Sequence, residues 1–306
     1  MITGSPTFPL VSRRRLHGLA FGAMHGARRG TGSDVSGSRR YVPGDDPDRI
    51  DWAASARLSA ATGVDDFIVR EHFADEAPRA VTLLDCCPTM TLPSSELPWL
   101  DKAAAARVCI EMIEASVTEA RGLIGSLEFG ARAGVVGWAP PASAGTRAFD
   151  EHDLPLGEDG TPLPGVAGAL DFLALHRRQV PSASFVFVLS DFLAPPPVEA
   201  WEDAVDRGWD VVPVVIQDPV WEQSFPEIDG IVVPLQSSGG RLRLVRLRAG
   251  ESTAWRSRHE ERRRRLLDVL GTLGVEPVLV SSAEPDDIFE AFTLWATERQ
   301  SAWSRG

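Results

Sequence analysis

Residues 184–191 read Ser-Phe-Val-Phe-Val-Leu-Ser-Asp, and the fold turns on how that run is built and how it ends. Consecutive aromatic, β-branched and aliphatic residues without polar alternation predict a strand buried on both faces. The acid that closes the run marks where the chain leaves the sheet. The same pattern stands at residues 79–85, Arg-Ala-Val-Thr-Leu-Leu-Asp. Working outward, residues 101–121 carry apolar side chains at helical spacing behind Asp101, an acid suited to a helix N-terminus. Residues 122–129 and 131–138 predict two strands around Gly130. Residues 139–164 predict a long loop of Pro, Gly and acids (Asp150, Glu151, Asp153, Glu158, Asp159).

A helix is expected over 165–178, and Pro195, Pro196 and Pro197 lead into another that ends at Arg207. Residues 209–216 predict a further strand, and 231–235 with 242–247 a hairpin around Gly239-Gly240. A helix over 252–272, a strand at 276–280 and a helix over 285–303 complete the pattern. Continuous apolar strands separated by helices predict an α/β fold, doubly wound, with a mostly parallel sheet of about six strands.

The formal charge of −12 over 306 residues is unevenly spread. Residues 1–43 hold seven arginines and one acid, Asp34, for +6, so the remainder carries −18. The basic stretch is rich in Gly and Ser and predicts an irregular N-terminal arm. Two regions are therefore expected: residues 1–78, the arm with an Arg/Asp-rich segment, and residues 79–306, the sheet-bearing domain. An acidic balance excludes a protein that coats nucleic acid over its whole surface. No apolar run approaches the roughly 18 residues that span a bilayer, so direct membrane insertion is not expected. Three cysteines, Cys86, Cys87 and Cys109, make no disulfide framework and point to a reducing, cytoplasmic setting. Lys102 is the only lysine, an oddity that coding bias explains as readily as function.

In an open parallel sheet, ligands bind beyond the carboxyl ends of the strands, where strand order reverses. Asp85 and Asp191 both close strands, and oxygen-bearing side chains follow Asp85 in the loop. Such a set can hold a hard cation, and equally the two acids can cap their loops by accepting backbone N–H bonds. An aspartyl phosphotransferase needs a second Asp two residues on, where Cys87 stands. A cysteine phosphatase needs an Arg closing the loop, and residues 88–94 contain none. No H-E-x-x-H, P-loop or dinucleotide glycine turn is present. The rival enzymatic reading is a metal-dependent hydrolase, a phosphoesterase using Asp85 and Asp191.

The densest polar segment is Arg40-Tyr41-x-Pro43-Gly44-Asp45-Asp46-Pro47-x-Arg49-Ile50-Asp51-Trp52-x-x-Ser55-Ala56-Arg57. Its alternating signs suit a self-neutralising clasp or a recognition surface. With Val69-Arg70-Glu71, Leu84-Asp85, Leu189-Ser190-Asp191-Phe192 and Asp218-Pro219, this run resembles the bacterial family called domain of unknown function 58. The resemblance implies a von Willebrand factor A-like fold and a metal-ion-dependent adhesion site. Mapped here, the site residues are Asp85, Cys87, Thr89, Thr161 and Asp191, with Mg²⁺ as the implied ion. Cys87 departs from the pattern, which has a hydroxyl there, and a thiol is a poor ligand for a hard cation. The resemblance further implies a non-enzymatic adaptor that works with a MoxR-type AAA+ ATPase in protein-complex maturation. Arg40, Tyr41, Asp45, Asp46, Arg49, Asp51, Trp52 and Arg57 are then the candidate partner-binding residues.

Overall fold

A computed structural model describes residues 5–13, 25–41, 50–62, 67–75, 77–91, 99–143, 148–156, 160–161, 164–228, 230, 232–236, 242–248 and 250–304. The chain divides into two compact units, Arg13–Pro78 on one hand and Met1–Ser12 with Arg79–Gly306 on the other. The smaller unit contains β1 (His25–Arg40), α1 (Trp52–Thr62) and β2 (Ile68–Asp75). β1 and β2 pair antiparallel, with register shifts along the Gly/Ser-rich stretch. Within the expected irregular arm, His25–Arg40 form a strand. Its composition hides this, because backbone pairing with β2 supplies order that no apolar alternation announces.

The larger unit holds β3 (Arg79–Asp85), α2 (Lys102–Glu119), β4 (Leu123–Arg132), β5 (Val135–Ala142) and β6 (Asp150–Asp153). There follow α3 (Gly165–Leu175), β7 (Phe185–Ser190), α4 (Val198–Asp206), β8 (Asp210–Ile216), β9 (Val232–Gln236) and β10 (Leu242–Arg246). It closes with α5 (Glu251–Thr272), β11 (Val278–Val280) and α6 (Pro285–Ser304). β9 and β10 form the expected hairpin, whose turn lies outside the described residues. The main sheet has seven strands in the order β11-β8-β7-β3-β4-β5-β6. The first five are parallel, and β5 and β6 run antiparallel at the edge.

The extra strand relative to the expected six is β6. It falls inside the stretch read as a loop, and all four of its residues are exposed. A strand with no buried face leaves no hydrophobic signal to read. The β4–β5 turn also differs. It falls at Ala133-Gly134, while Gly130 lies within β4 at φ +85°, next to a register shift.

β7 and β8 are buried along their whole length, as their unbroken apolar runs require. Val186 and Val188 pack in one core with α3, α4 and α5 through Phe172, Trp201 and Leu266. Phe185 and Phe187 stack with each other, and Phe187 meets Trp295 of α6. The pleat therefore sends alternate side chains into two helical layers, giving a three-layer α/β/α sandwich. Among the described residues, no helix is long and apolar enough to cross a membrane.

Candidate functional site

From β3 the chain winds to β4 on one side, and from β7 to β8 on the other, so strand order reverses between β3 and β7. A parallel sheet opens a crevice at such a point. The register pairs Leu84 with Leu189, so Asp85 and Ser190 leave the sheet side by side. Ser190 Oγ donates to Asp85 Oδ2 at 2.7 Å and accepts from the Phe192 N–H at 3.1 Å. Phe192 itself is buried at φ 49°, an uncommon backbone for a bulky residue. Asp85 Oδ1 accepts from the Cys87 N–H at 2.9 Å, and Cys87 Sγ shares a hydrogen bond with Thr89 Oγ1 at 3.1 Å.

Gly130 explains how the Asp85 loop fits against β4. A Cβ there would stand 3.1 Å from both Asp85 Oδ1 and the Cys87 nitrogen, on a backbone at φ +85°. Gly130→Ala is expected to destabilise the protein by ~1–3 kcal/mol, measured by denaturant unfolding. Gly160→Ala, at φ +76° with nothing within 4 Å, is the matched control and should lose less. Equal losses would show that backbone strain alone acts at Gly130.

Beside these acids sits the one lysine. Lys102 opens α2, where the helix dipole disfavours a cation, and it is only 5% exposed. Its Nζ lies 2.8 Å from Asp191 Oδ2 and 2.6 Å from Glu222 Oε1. Burial disfavours the ammonium, but Asp191 and Glu222 together outweigh burial and hold Lys102 above its ordinary range. Further bonds fasten the same loops. Asp191 Oδ1 accepts from the Leu193 N–H, and Gln217 Nε2 donates to the Asp191 carbonyl at 2.6 Å. Glu222 Oε2 accepts from the Asp218 N–H, and Asp218 Oδ2 from the Leu100 N–H at 2.7 Å. Arg262 Nη2 donates to the Glu222 carbonyl at 2.8 Å.

Among the described residues, the group that could meet at a cation is Asp85, Cys87 and Asp191, whose ligand atoms lie within 4.8 Å of one another. Thr89 joins them through Cys87, whereas Thr161 is exposed on the bend before α3. This donor set does not fit a hard divalent ion. Burial, and after it the nearby Asp85, pushes the Cys87 thiol up to about 11, and sulfur is a soft donor poorly matched to a hard divalent ion. Asp191 already faces an ammonium. A divalent ion on Asp191 Oδ2, about 2.1 Å away, would stand within about 5 Å of Lys102 Nζ, for a repulsion of about 7 kcal/mol at an effective dielectric near 20.

In the smaller unit, the signature residues build local structure. Asp51 caps α1, its Oδ1 accepting from the Ala54 N–H at 3.0 Å while its carbonyl accepts from Ser55 Oγ. Ser55 Oγ in turn accepts from the Ile68 N–H, tying α1 to β2. Tyr41 and Trp52 each meet Phe67 edge-on. Trp52 remains 64% exposed, and Arg57 is exposed with its Nε on the Ala53 carbonyl. Arg40 ends β1, and Asp45, Asp46 and Arg49 lie outside the described residues. Asp51 thus caps α1, and Tyr41 contributes a ring contact to Phe67.

Sequence reasoning missed Lys102, Glu222 and Gln217 as members of the site. The usable signals were a single lysine in an arginine-rich chain and a Glu four residues after the strand-end Asp218. Comparison with known proteins places the sequence in a wider group. The family model described as "Protein of unknown function DUF58" matches residues 37–266. Uncharacterized proteins of Mycobacterium tuberculosis and Mycobacterium bovis are each 25% identical over 241 residues, spanning 76% of this chain and 70% of theirs. A solved structure, the conserved hypothetical protein BatB from Bacteroides thetaiotaomicron, aligns with 73% of this chain and 99% of its own. It does so at 15% identity and a TM-score of 0.35.

Proposed function

The chain belongs to the family of unknown function DUF58, and from that premise we propose that it is a non-enzymatic interaction module whose switch-point crevice docks a partner protein. The observation that carries this reading is that the chemically capable groups of the crevice are already engaged. Both Asp85 oxygens and both Asp191 oxygens accept hydrogen bonds within the site. A hydrolase needs a nucleophile or base poised near neutral pH. Burial pushes the Cys86 thiol up to about 12 and the Cys87 thiol up to about 11. The Asp85 carboxyl, also raised by burial, has both oxygens occupied by Cys87 and Ser190. Satisfied polar groups on rigid strand ends suit recognition, where a partner adds contacts without reorganising the site.

The antiparallel β5 beyond a parallel block supports a von Willebrand factor A-like fold, with Asp85, Cys87, Thr89 and Asp191 as a degenerate adhesion site. The partner is a MoxR-type AAA+ ATPase in the cytoplasm, as the resemblance of the signature implies, and neither nucleic acid nor membrane is engaged. Exposed Trp52 and Arg57 supply a second contact from the smaller unit. The test is calorimetric titration with a purified MoxR-type AAA+ ATPase from the same genome. Asp85→Asn keeps the side-chain shape, removes the charge and is expected to weaken binding at least about tenfold. Turnover of phosphoesters with Mg²⁺ or Mn²⁺, abolished by Asp191→Ala, would replace this reading with the hydrolase.

A further inference from the structure

We propose that Lys102 is the resident cation of the switch-point site, its ammonium taking the electrostatic place of a divalent ion, so that the site works without metal. The partner half of this inference rests on the interaction-module reading; the metal half does not. Three observations converge on Lys102. It is the only lysine of a chain whose other strong bases are all arginine. It is buried at the first position of α2, against the helix dipole, where nothing but a specific anion partner would hold a cation. Its Nζ then bridges two carboxylates brought in by separate loops, Asp191 after β7 and Glu222 after β8, at 2.8 and 2.6 Å.

The chemistry explains why lysine stands here. A metal ion at a strand-end site is a compact positive charge that collects oxygens from several loops. An ammonium is the nearest side-chain equivalent, a compact point charge with three donors, whereas a guanidinium spreads its charge over a larger planar fork whose donors all lie in one plane. The remaining positions are consistent with that substitution. Cys87 stands where the resembled pattern has a hydroxyl, and its Sγ shares a hydrogen bond with Thr89 Oγ1 at 3.1 Å. The residue that would weaken a metal site and the residue that replaces the metal occur together.

The test starts with the isolated chain, titrated with Mn²⁺ and followed by electron paramagnetic resonance. The unaltered protein is expected to show no saturable site below about 1 mM, and its melting temperature should be the same in EDTA and in excess Mg²⁺. Lys102→Gln leaves Asp191 and Glu222 without their cation and is expected to gain Mn²⁺ affinity at least about tenfold. A saturable Mn²⁺ site in the unaltered chain, or a melting temperature lowered by EDTA, overturns the proposal even if the variant fails to fold. Partner titration in EDTA separates the two claims. Binding only with Mg²⁺ defeats metal independence and leaves the interaction module standing. Absence of binding in both buffers defeats the module, and the Mn²⁺ titration still decides the role of Lys102.

Discussion

Lys102→Met is expected to lower the unfolding free energy by about 3–5 kcal/mol, because it strands Asp191 and Glu222 as buried charges without their cation. Asp191 is 2% exposed, and Glu222 is drawn into the same pocket by the ammonium at 2.6 Å. Surface ion pairs carry little energy, as the largely exposed Arg132–Glu151 pair would. The Lys102 network differs in being desolvated, so its loss leaves a penalty rather than removing a bonus. Against a domain stability of about 5–15 kcal/mol, the variant should still fold but unfold at clearly lower denaturant. Adding Asp191→Asn and Glu222→Gln should recover part of the loss, since neutral amides replace the stranded carboxylates.

The direction with pH follows from the shift. Lys102 is held above its ordinary 10.5, so the stability it contributes is complete below that value and is lost as pH rises through the folded value. Asp85 is also raised, by burial, which outweighs the Ser190 and Cys87 hydrogen bonds. Its contribution runs against the native state as pH rises above its ordinary 3.8. Alkaline unfolding of the unaltered chain, with the alkaline limb flattened in Lys102→Met, is the expected pattern.

Arg299→Met is expected to be similarly damaging, by about 3–5 kcal/mol, at the opposite end of the sheet. Arg299 is 2% exposed and donates to Asp210 Oδ1 at 3.0 Å, to Glu276 Oε2 at 3.1 Å and to the Val11 carbonyl at 2.9 Å. Its guanidinium lies 4.4 Å from the Trp295 ring centroid. One side chain thus joins the start of β8, the approach to β11, α6 and the segment before residue 13. That segment is also held by Phe8, stacked on Phe292 at 4.4 Å and donating its N–H to Ser116 Oγ. Hydrogen exchange should speed up in residues 5–12 of the variant. Arg299→Lys should not restore stability, because an ammonium cannot reach three partners in the geometry of a fork.

The legible parts of the fold were those with a dedicated hydrophobic signal. The apolar runs at 79–85, 184–191 and 209–216 predicted β3, β7 and β8, and the acids that close the first two, Asp85 and Asp191, located the crevice. β1 and β6 escaped because the first is Gly/Ser-rich and the second is wholly exposed. Gly130 read as a turn, since sequence does not distinguish a left-handed glycine that closes a hairpin from one that makes room for a neighbouring loop. At the site, Asp85, Cys87 and Asp191 were readable as strand-end neighbours. Lys102 and Glu222 were not, because their meeting depends on three loops converging across the top of the sheet, which no local spacing encodes.

The most direct measurement of the central claim is the affinity of a purified MoxR-type AAA+ ATPase for the unaltered and Asp85→Asn chains, both in EDTA. Saturable binding of the unaltered chain without metal, weakened at least about tenfold by Asp85→Asn, is the expected result. Binding that requires Mg²⁺, or that ignores the loss of the Asp85 charge, would contradict a metal-free docking site at the strand switch point.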